Sequence, residues 1–201
     1  MIREYDIPKE TFIGGSFISE QLCDDLINYF EFNKVNAKPG LIYRGGEGSV
    51  IDKDVKDSLD FPVIPGSLHY PVSNYSAELQ MCLDNYLKKY PFANDMSCFS
   101  IKEQYNIQKY SIGGGFKTWH FERPSMTKNN RVLVFMTYLN DVEDGGTEFY
   151  HQKFTCPAKK GLTLIWPTDW THTHRGQISK TKEKYIVTGW YSFNKKVKDE
   201  R

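Results

Sequence analysis

The second half of this chain is a succession of short apolar and aromatic segments separated by turn residues, which limits the folds available to it. After Phe92, segments rich in Val, Ile, Tyr, Phe and Thr alternate with Gly, Asn, Asp or Pro. Such segments are typical of β-strands, because branched and aromatic side chains suit a pleated sheet. We predict strands over residues 98–103, 106–110, 117–121, 131–139, 147–150, 161–166, 172–175 and 184–193.

The first third of the chain carries helical patterns instead. Residues 20–32 place apolar side chains on one face at helical spacing, with Ser19 as the N-cap. Residues 76–89 show a second stripe of the same kind. The polar, glycine-rich stretch 39–56 between them predicts a loop or irregular strands, and residues 43–49 within it predict a mobile loop.

Helices followed by short strands predict an α+β, mostly β fold: an antiparallel jelly roll or barrel backed by N-terminal helices. The length of 201 residues suits one domain, and no linker composition separates the two halves. We therefore predict a single domain over residues 1–201. Its helical support region covers about 1–95, and its jelly roll covers about 96–195.

Composition excludes several classes of partner. The formal net charge is +1, so nothing favours nucleic acid or an anionic membrane surface. The longest apolar run, residues 132–136, is far short of the roughly 20 residues that span a bilayer. The charged residues 3–10 do not resemble a secretory signal, and the scattered cysteines predict buried free thiols. We therefore expect a cytoplasmic protein.

The chemistry is concentrated around His120-Phe121-Glu122. Residues i and i+2 of a strand project from the same face, so His120 and Glu122 are expected to point together. An imidazole and a carboxylate form two thirds of the 2-His-1-carboxylate triad, which holds Fe(II) and keeps open positions. An isolated pair of this kind is more often a surface ion pair. A metal site needs a second histidine from a distant strand, and His172 and His174 are the candidates.

Four segments with recognisable motifs follow one another along the second half. They are Tyr110 to Glu122, with a glycine-rich turn before H-x-E; Arg131 to Phe149, with Y-L-N-D and G-G; Pro157 to Trp166, with P-x-x-G; and His174 to Trp190, with H-x-G, a lysine and a tryptophan. In order and spacing they resemble the iron- and 2-oxoglutarate-dependent dioxygenases, specifically the prolyl 4-hydroxylase-like branch. The resemblance runs from about residue 108 to 193, and residues 17–27 weakly resemble the family's first helix.

The resemblance implies that His120, Glu122 and His174 bind Fe(II). His174 is preferred to His172 because Arg175-Gly176 follows it and its spacing to Lys184 matches the family. The family usually has Asp where this chain has Glu122. Glutamate supplies the same carboxylate on one more methylene, so it still ligates a metal but shifts the ligand geometry.

The resemblance also assigns the residues around the metal. Lys184 is expected to bind the distal carboxylate of 2-oxoglutarate. The residues expected to border the 2-oxoglutarate pocket are Tyr110, Tyr138, Trp190 and Thr147. The residues expected to contact the substrate are Arg131, Trp170 and His172.

The fold implied by the resemblance is the double-stranded β-helix, or jelly roll, with supporting N-terminal helices. The implied activity is hydroxylation of an unactivated C–H, chiefly of a prolyl residue in a peptide or protein, with release of succinate and CO2. It uses Fe(II), 2-oxoglutarate and O2, with ascorbate as a reductant. Two alternatives stay open: a same-fold hydroxylase of a small molecule or lysine, and a non-catalytic jelly-roll module that binds 2-oxoglutarate. The sequence also leaves the oligomeric state open.

Overall fold

A computed structural model describes residues 2–45, 48–95 and 97–194. Its helices are α1 (Glu20–Phe32) and α2 (Val72–Lys89). Its strands are β1 (Arg3–Tyr5), β2 (Gly14–Phe17), β3 (Lys38–Pro39), β4 (Ile42–Tyr43), β5 (Ser49–Val50), β6 (Lys56–Asp57), β7 (Leu59–Val63), β8 (Phe99–Ile101), β9 (Tyr105–Tyr110), β10 (Gly115–Phe116), β11 (Arg131–Tyr138), β12 (Val142–Phe149), β13 (Phe154–Ala158), β14 (Leu162–Pro167), β15 (His174–Gly176) and β16 (Lys184–Phe193). The predicted mobile loop 43–49 includes Gly46 and Glu47, which lie outside the described residues.

The described residues form four sheets, in which every pairing is antiparallel: a large sheet, a small three-stranded sheet, and the two-stranded pairs β10-β6 and β4-β5. The large sheet has the order β1-β2-β14-β11-β16-β9-β7-β3, and β8 pairs with the end of β16. The small sheet has the order β13-β12-β15. Tyr138 and Leu164 of the large sheet share one apolar cluster with Phe149 and Cys156 of the small sheet, so the two sheets face each other. This is the double-stranded β-helix that we expected.

The alternation of side chains along β16 separates the outside of the large sheet from its inside. Val187 and Tyr191 belong to the outer cluster, which also contains the helices. Lys184, Ile186 and Trp190 point the other way and line a cavity between the sheets. Because successive residues of a strand face opposite sides, one strand supplies both the packed core and the cavity wall.

The two helices cover the outer face of the large sheet. Phe30 of α1 and Leu79 of α2 are buried in the same cluster as Phe135 of β11. Helix α1 has the predicted bounds, and its cap Ser19 accepts a hydrogen bond from the backbone N–H of Leu22. Helix α2 begins at Val72 and not at the predicted residue 76, because its first turn also packs into this cluster.

One predicted strand is wrong, and another begins later than predicted. Residues 117–121 form no strand, and only His120 makes an isolated bridge, to His174. Residues 170–172 form a 3-10 turn, so pairing in the predicted strand 172–175 begins only at His174. A glycine-rich turn precedes residues 117–121, and the 3-10 turn 170–172 precedes His174. Each segment therefore has few residues left to pair with a neighbouring strand.

The structure also contains several strands that the sequence patterns did not predict. The predicted helical support region supplies β1, β2, β3 and β7 to the large sheet. These strands are short or partly exposed and show little alternation. Strand β13 contains Pro157 and lies at the edge of the small sheet, where a missing N–H is tolerated. Their pairing depends on neighbouring strands more than on their own residues.

Two compositional expectations can be compared with the structure. Cys23, Cys82 and Cys156 are buried free thiols, as predicted, whereas Cys98 is exposed. Within the described residues, no helix combines the length and the hydropathy needed to cross a bilayer. The cytoplasmic location stays a prediction.

The centre of the large sheet is sensitive to loss of volume. Phe135 is fully buried, and its ring packs edge-on against Tyr105 and Tyr191 at centroid distances of 5.5 and 5.4 Å. We expect Phe135→Ala to lower the free energy of unfolding by about 3–5 kcal/mol, because it leaves a cavity that the sheet cannot close. Urea unfolding measures the change. Phe92→Ala, at a position 86% exposed, is the control, with an expected change within about 0.5 kcal/mol. Equal effects would contradict the proposed core.

Candidate active site

His120, Glu122 and His174 converge in the structure. Their ligand atoms all lie within 4.8 Å of one another. Nε2 of His120 is 3.4 Å from Oε1 of Glu122, and Nε2 of His174 is 3.5 Å from the same oxygen. Two imidazole nitrogens and one carboxylate oxygen therefore face a common point.

The backbone, and not a continuous strand, positions these three side chains. The N–H of His120 donates to the carbonyl of His174 at 3.0 Å, and the N–H of His174 donates back at 2.9 Å. The N–H of Glu122 donates to the carbonyl of Thr168 at 3.1 Å. The prediction that His120 and Glu122 share one face of a strand is thus wrong in its reason. They are brought together by hydrogen bonds to the segments around β14 and β15.

Hydrogen bonds at the far nitrogens orient both imidazoles. Nδ1 of His120 lies 2.9 Å from the carbonyl oxygen of Thr118, and Nδ1 of His174 lies 2.8 Å from that of His172. A carbonyl only accepts, so each Nδ1 carries the proton and each Nε2 keeps its lone pair. Phe116 stacks on the His120 ring at 3.6 Å. The ring orientations are therefore fixed by protein contacts, as is usual for histidines that bind a metal.

The protonation states also suit a metal. Burial, together with the neighbouring His174, lowers the pKa of His120, so this imidazole is neutral near pH 7. Burial by itself would raise the pKa of Glu122, but the adjacent imidazoles of His120 and His174 hold it well below its usual range. Neutral imidazole and ionised carboxylate are the forms that bind metals. Geometry and charge together fit a divalent cation.

The group opens into a cavity of about 780 Å³ that Lys184 also lines. The Lys184 ammonium is buried and donates to the carbonyl oxygens of Gly145 and Gln177 at 2.8 and 3.0 Å. No carboxylate of the described residues lies within ion-pair distance of it. Burial lowers the pKa of Lys184 to about 8, although the more distant Asp144 opposes the shift. An unpaired buried ammonium favours an anionic ligand.

The other residues predicted for the cosubstrate pocket line the same cavity. The hydroxyls of Tyr138 and Thr147 lie 2.6 Å apart. The hydroxyl of Tyr110 donates to the side-chain oxygen of Gln108 at 2.7 Å, and its ring lies 5.3 Å from Nζ of Lys184. The indole N–H of Trp190 is directed at Glu122 and not at Lys184.

Of the three predicted substrate residues, Arg131, His172 and Trp170, one lines the cavity. Arg131 lines the cavity, although it is buried. His172 is also buried, with Nε2 at 3.0 Å from the carbonyl oxygen of Thr11, and it does not line the cavity. Trp170 is 61% exposed and packs against His151 outside the cavity. The 3-10 turn over 170–172 thus places both side chains outside the cavity lining, and their contact with a substrate stays a prediction.

Sequence reasoning missed a buried polar group beside Tyr110. Nζ of Lys56 donates to Asp60 at 2.6 Å, and the amide of Gln108 donates to the same carboxylate oxygen at 3.1 Å. Gln108 lies two residues before Tyr110 in a predicted strand, so both side chains project from the same face. This spacing could have indicated that Gln108 lies beside Tyr110 in the cavity wall. Lys56 and Asp60 lie on short strands without a clear pattern, and only the folded chain brings them into the cavity wall.

Comparison with known proteins agrees with this geometry. Residues 105–192 match the family model described as the 2OG-Fe(II) oxygenase superfamily. The chain is 32% identical over 104 residues to prolyl 4-hydroxylase subunit alpha-3 of Mus musculus, covering 44% of this chain and 19% of that protein. It is 38% identical over 73 residues to the Bos taurus subunit, covering 32% and 13%. The chain thus spans less than a fifth of the length of the curated relatives it matches.

Solved structures with this fold cover nearly the whole chain. The viral collagen prolyl hydroxylase of Paramecium Bursaria Chlorella virus-1 matches with a TM-score of 0.65 and 20% identity, covering 90% of this chain and 95% of its own. A Pseudomonas putida prolyl-4-hydroxylase matches with a TM-score of 0.66 and 12% identity, covering 91% and 93%. At these identities the likeness concerns the fold.

Fold, clustered side chains and sequence match point to one class. Residues 105–192, somewhat less than half of the chain, are similar to the 2OG-Fe(II) oxygenase superfamily, whose cofactors are Fe(II), 2-oxoglutarate and O2. The chain is prolyl 4-hydroxylase-like in sequence and in fold.

Burial of Lys184 predicts a pH dependence of stability in the metal-free protein. Its pKa is lowered from 10.5 to about 8 in the folded state, so between these values the unfolded chain binds the extra proton. Stability therefore rises with pH across this window. We expect Lys184→Met to be more stable near pH 7 and to lose about 3 kcal/mol of that advantage by pH 10.5.

Urea unfolding between pH 7 and 10.5 measures this difference. Lys182→Met, at an exposed position in the preceding loop, is the matched control and should leave the profile unchanged. Parallel profiles for wild type and Lys184→Met would show that the Lys184 ammonium is not desolvated.

Proposed function

We propose that this protein is an Fe(II)- and 2-oxoglutarate-dependent dioxygenase that hydroxylates a prolyl residue in a peptide or protein. The reaction modifies an unactivated C–H and releases succinate and CO2. Ascorbate serves as an auxiliary reductant in this proposal. His120, Glu122 and His174 are proposed as the metal ligands, and Lys184 as the partner of the distal cosubstrate carboxylate.

The observation that carries the proposal is that the ligand group and the buried Lys184 line one cavity. A set of two imidazoles and one carboxylate suits Fe(II) and leaves coordination positions open. 2-Oxoglutarate is a dicarboxylate, and the buried ammonium of Lys184 is a cationic partner for its second carboxylate. Both ends of the cosubstrate therefore have a chemically matched partner.

Each residue has a task that follows from its contacts. The backbone carbonyls that accept from Nδ1 of His120 and His174 keep both Nε2 lone pairs free for the metal. Lys184 donates two of its three hydrogens to carbonyl oxygens, which leaves one for a carboxylate. The hydroxyls of Tyr138 and Thr147 supply further polar contacts at the cavity wall.

Bound Fe(II) supplies the oxygen-activating chemistry of this reaction class. The chain binds and orients the reactants and excludes water from them. Met136, Trp166 and Ile186 line the cavity with apolar surface and belong to the inner core. A dry wall of this kind protects a reactive centre from side reactions with water.

Two observations support a peptide substrate over a small molecule. Trp119 lines the cavity and is 39% exposed, and the ring of Tyr150, which is 58% exposed and outside the lining, lies 5.2 Å from the Trp119 ring. Exposed aromatic rings are surfaces on which proline-containing peptides pack. A Trichoplax adhaerens prolyl hydroxylase with the same fold, TM-score 0.66 and 12% identity, covering 88% of this chain and 80% of its own, is in complex with a hypoxia inducible factor peptide fragment.

The first test concerns the metal ligands and turnover. We expect wild type to form succinate only when Fe(II) and 2-oxoglutarate are both present. His120→Ala and His174→Ala should each abolish turnover and Mn(II) binding, because each removes one of three ligand atoms. Succinate assays and equilibrium dialysis with Mn(II) measure the two effects. His151→Ala, which removes an exposed histidine outside the group, is the control and should retain Mn(II) binding.

Two outcomes would contradict this assignment. Loss of Mn(II) in His120→Ala but not in His174→Ala would exclude the proposed triad. Tight 2-oxoglutarate binding without turnover under any condition would favour the non-catalytic module.

The second test concerns the substrate. Matched peptides carrying Pro, Lys or Asn at one position are incubated with wild type, Fe(II), 2-oxoglutarate and ascorbate. We expect a mass gain of one oxygen atom on the Pro peptide only. Trp119→Ala should raise KM for that peptide and leave KM for 2-oxoglutarate unchanged, since the ring lies at the cavity mouth. Oxidation of the Lys peptide, or turnover that no peptide stimulates, would favour the alternative hydroxylases.

A further inference from the structure

The two carboxylate oxygens of Glu122 lie in different surroundings. Oε1 faces Nε2 of His120 and of His174, at 3.4 and 3.5 Å. Oε2 accepts a hydrogen bond of 3.0 Å from the indole N–H of Trp190, and Nη1 of Arg131 lies 3.7 Å away. One oxygen is therefore directed at the candidate metal position, and the other is occupied by the protein.

The indole of Trp190 is itself held in place. The guanidinium carbon of Arg131 lies 3.5 Å from the centroid of the Trp190 ring, which is a close cation–π stack. Nη1 of the same arginine donates to the backbone carbonyl of Glu122 at 3.0 Å. Arg131 thus fixes the main chain of Glu122 directly and its side chain through Trp190.

Arg131 in turn is fixed by an acidic partner. Its Nε and Nη2 donate to the two carboxylate oxygens of Glu103, both at 2.7 Å. Lys128 adds a contact of 3.1 Å to the same carboxylate. Bidentate pairs of this kind set orientation as well as charge. Arg131 is 6% exposed, and all three of its guanidinium nitrogens already donate to protein oxygens.

We propose that Glu103, Arg131 and Trp190 form a clamp that makes Glu122 a ligand through Oε1 alone. A glutamate has one more rotatable bond than the aspartate usual in the family, so it needs more restraint to hold one geometry. A carboxylate that chelates through both oxygens takes up a coordination position that this type of site keeps open. The clamp occupies Oε2 and removes that option. This inference rests on the proposed metal site.

The clamp differs from the role expected from the sequence, in which Arg131 contacts substrate and Trp190 borders the 2-oxoglutarate pocket. Substrate or cosubstrate contact predicts a change in KM with metal binding intact. The clamp predicts a change in metal affinity when neither substrate nor cosubstrate is present. The two roles are therefore separated by binding measurements on the protein and metal alone.

Trp190→Phe tests the clamp, because it keeps an aromatic ring and deletes the N–H donor. We expect the affinity for Co(II), used as the probe metal, to fall about ten- to a hundredfold, as is typical when a partner of a ligand is removed. The visible absorption of bound Co(II) should also change, because it responds to coordination number. Trp170→Phe, which removes an indole N–H outside the cavity, is the control and should bind Co(II) as wild type does.

A double-mutant cycle with Glu122→Asp distinguishes the clamp from a general effect on folding. Aspartate is one methylene shorter, so its carboxylate cannot keep both the metal position and the contact with Trp190. We expect Glu122→Asp to bind Co(II), and Trp190→Phe in that background to change affinity by less than about twofold, the usual limit of additivity. Urea unfolding of all four proteins reports their stability.

The outcomes separate the two proposals. Failure of wild type to bind Co(II) would overturn the proposed metal site itself. Binding by wild type with unchanged affinity in Trp190→Phe would overturn the clamp and leave the metal site standing. An equal loss of affinity from Trp190→Phe with and without Glu122→Asp would also overturn the clamp, because Trp190 would then act independently of the extra methylene.

Discussion

Two backbone hydrogen bonds between His120 and His174 are the contact on which the site depends. They join a glycine-flanked loop to the start of β15, and without them the two imidazoles belong to unrelated parts of the chain. The same pair of bonds sets the position of Glu122, whose own N–H is anchored on Thr168. Buried backbone groups need partners, so this bridge is favoured wherever the loop is covered. Site geometry is therefore a consequence of backbone pairing.

The double sheet makes room for polar chemistry inside an apolar fold. The outer face of the large sheet packs against α1 and α2 and supplies much of the core, with Phe135 at its centre. The inner face carries Lys184 and other polar side chains, because the packing of the outer face against the helices supplies much of the apolar burial. Keeping Lys184 desolvated costs free energy, and its lowered pKa records that cost. The charged form then has a strong preference for an anionic ligand.

Glu122 connects the contacts of Glu103, Arg131 and Trp190 to the candidate metal position. Its carboxylate lies between two histidines on one side and Trp190 on the other, so each of its two oxygens faces a protein group. Glu103 lies outside the segment that matches the family and still contributes, through Arg131, to this arrangement. A change from the usual aspartate is therefore accompanied by a defined set of contacts. The protein accommodates the longer side chain without losing convergence of the three ligand atoms.

The sequence alone determined the elements with strong local signals: α1, the long strand β16, and the family motifs around His120, His174 and Lys184. The resemblance to the family also implied that Tyr110, Tyr138 and Trp190 border one pocket. Tertiary structure decided what local patterns do not encode. His172 turns toward Thr11, and Lys56 and Asp60 reach the cavity from short strands of the N-terminal region. Arg131 is committed to Glu103 and Trp190, because which partner a buried charge finds depends on strands far apart in sequence.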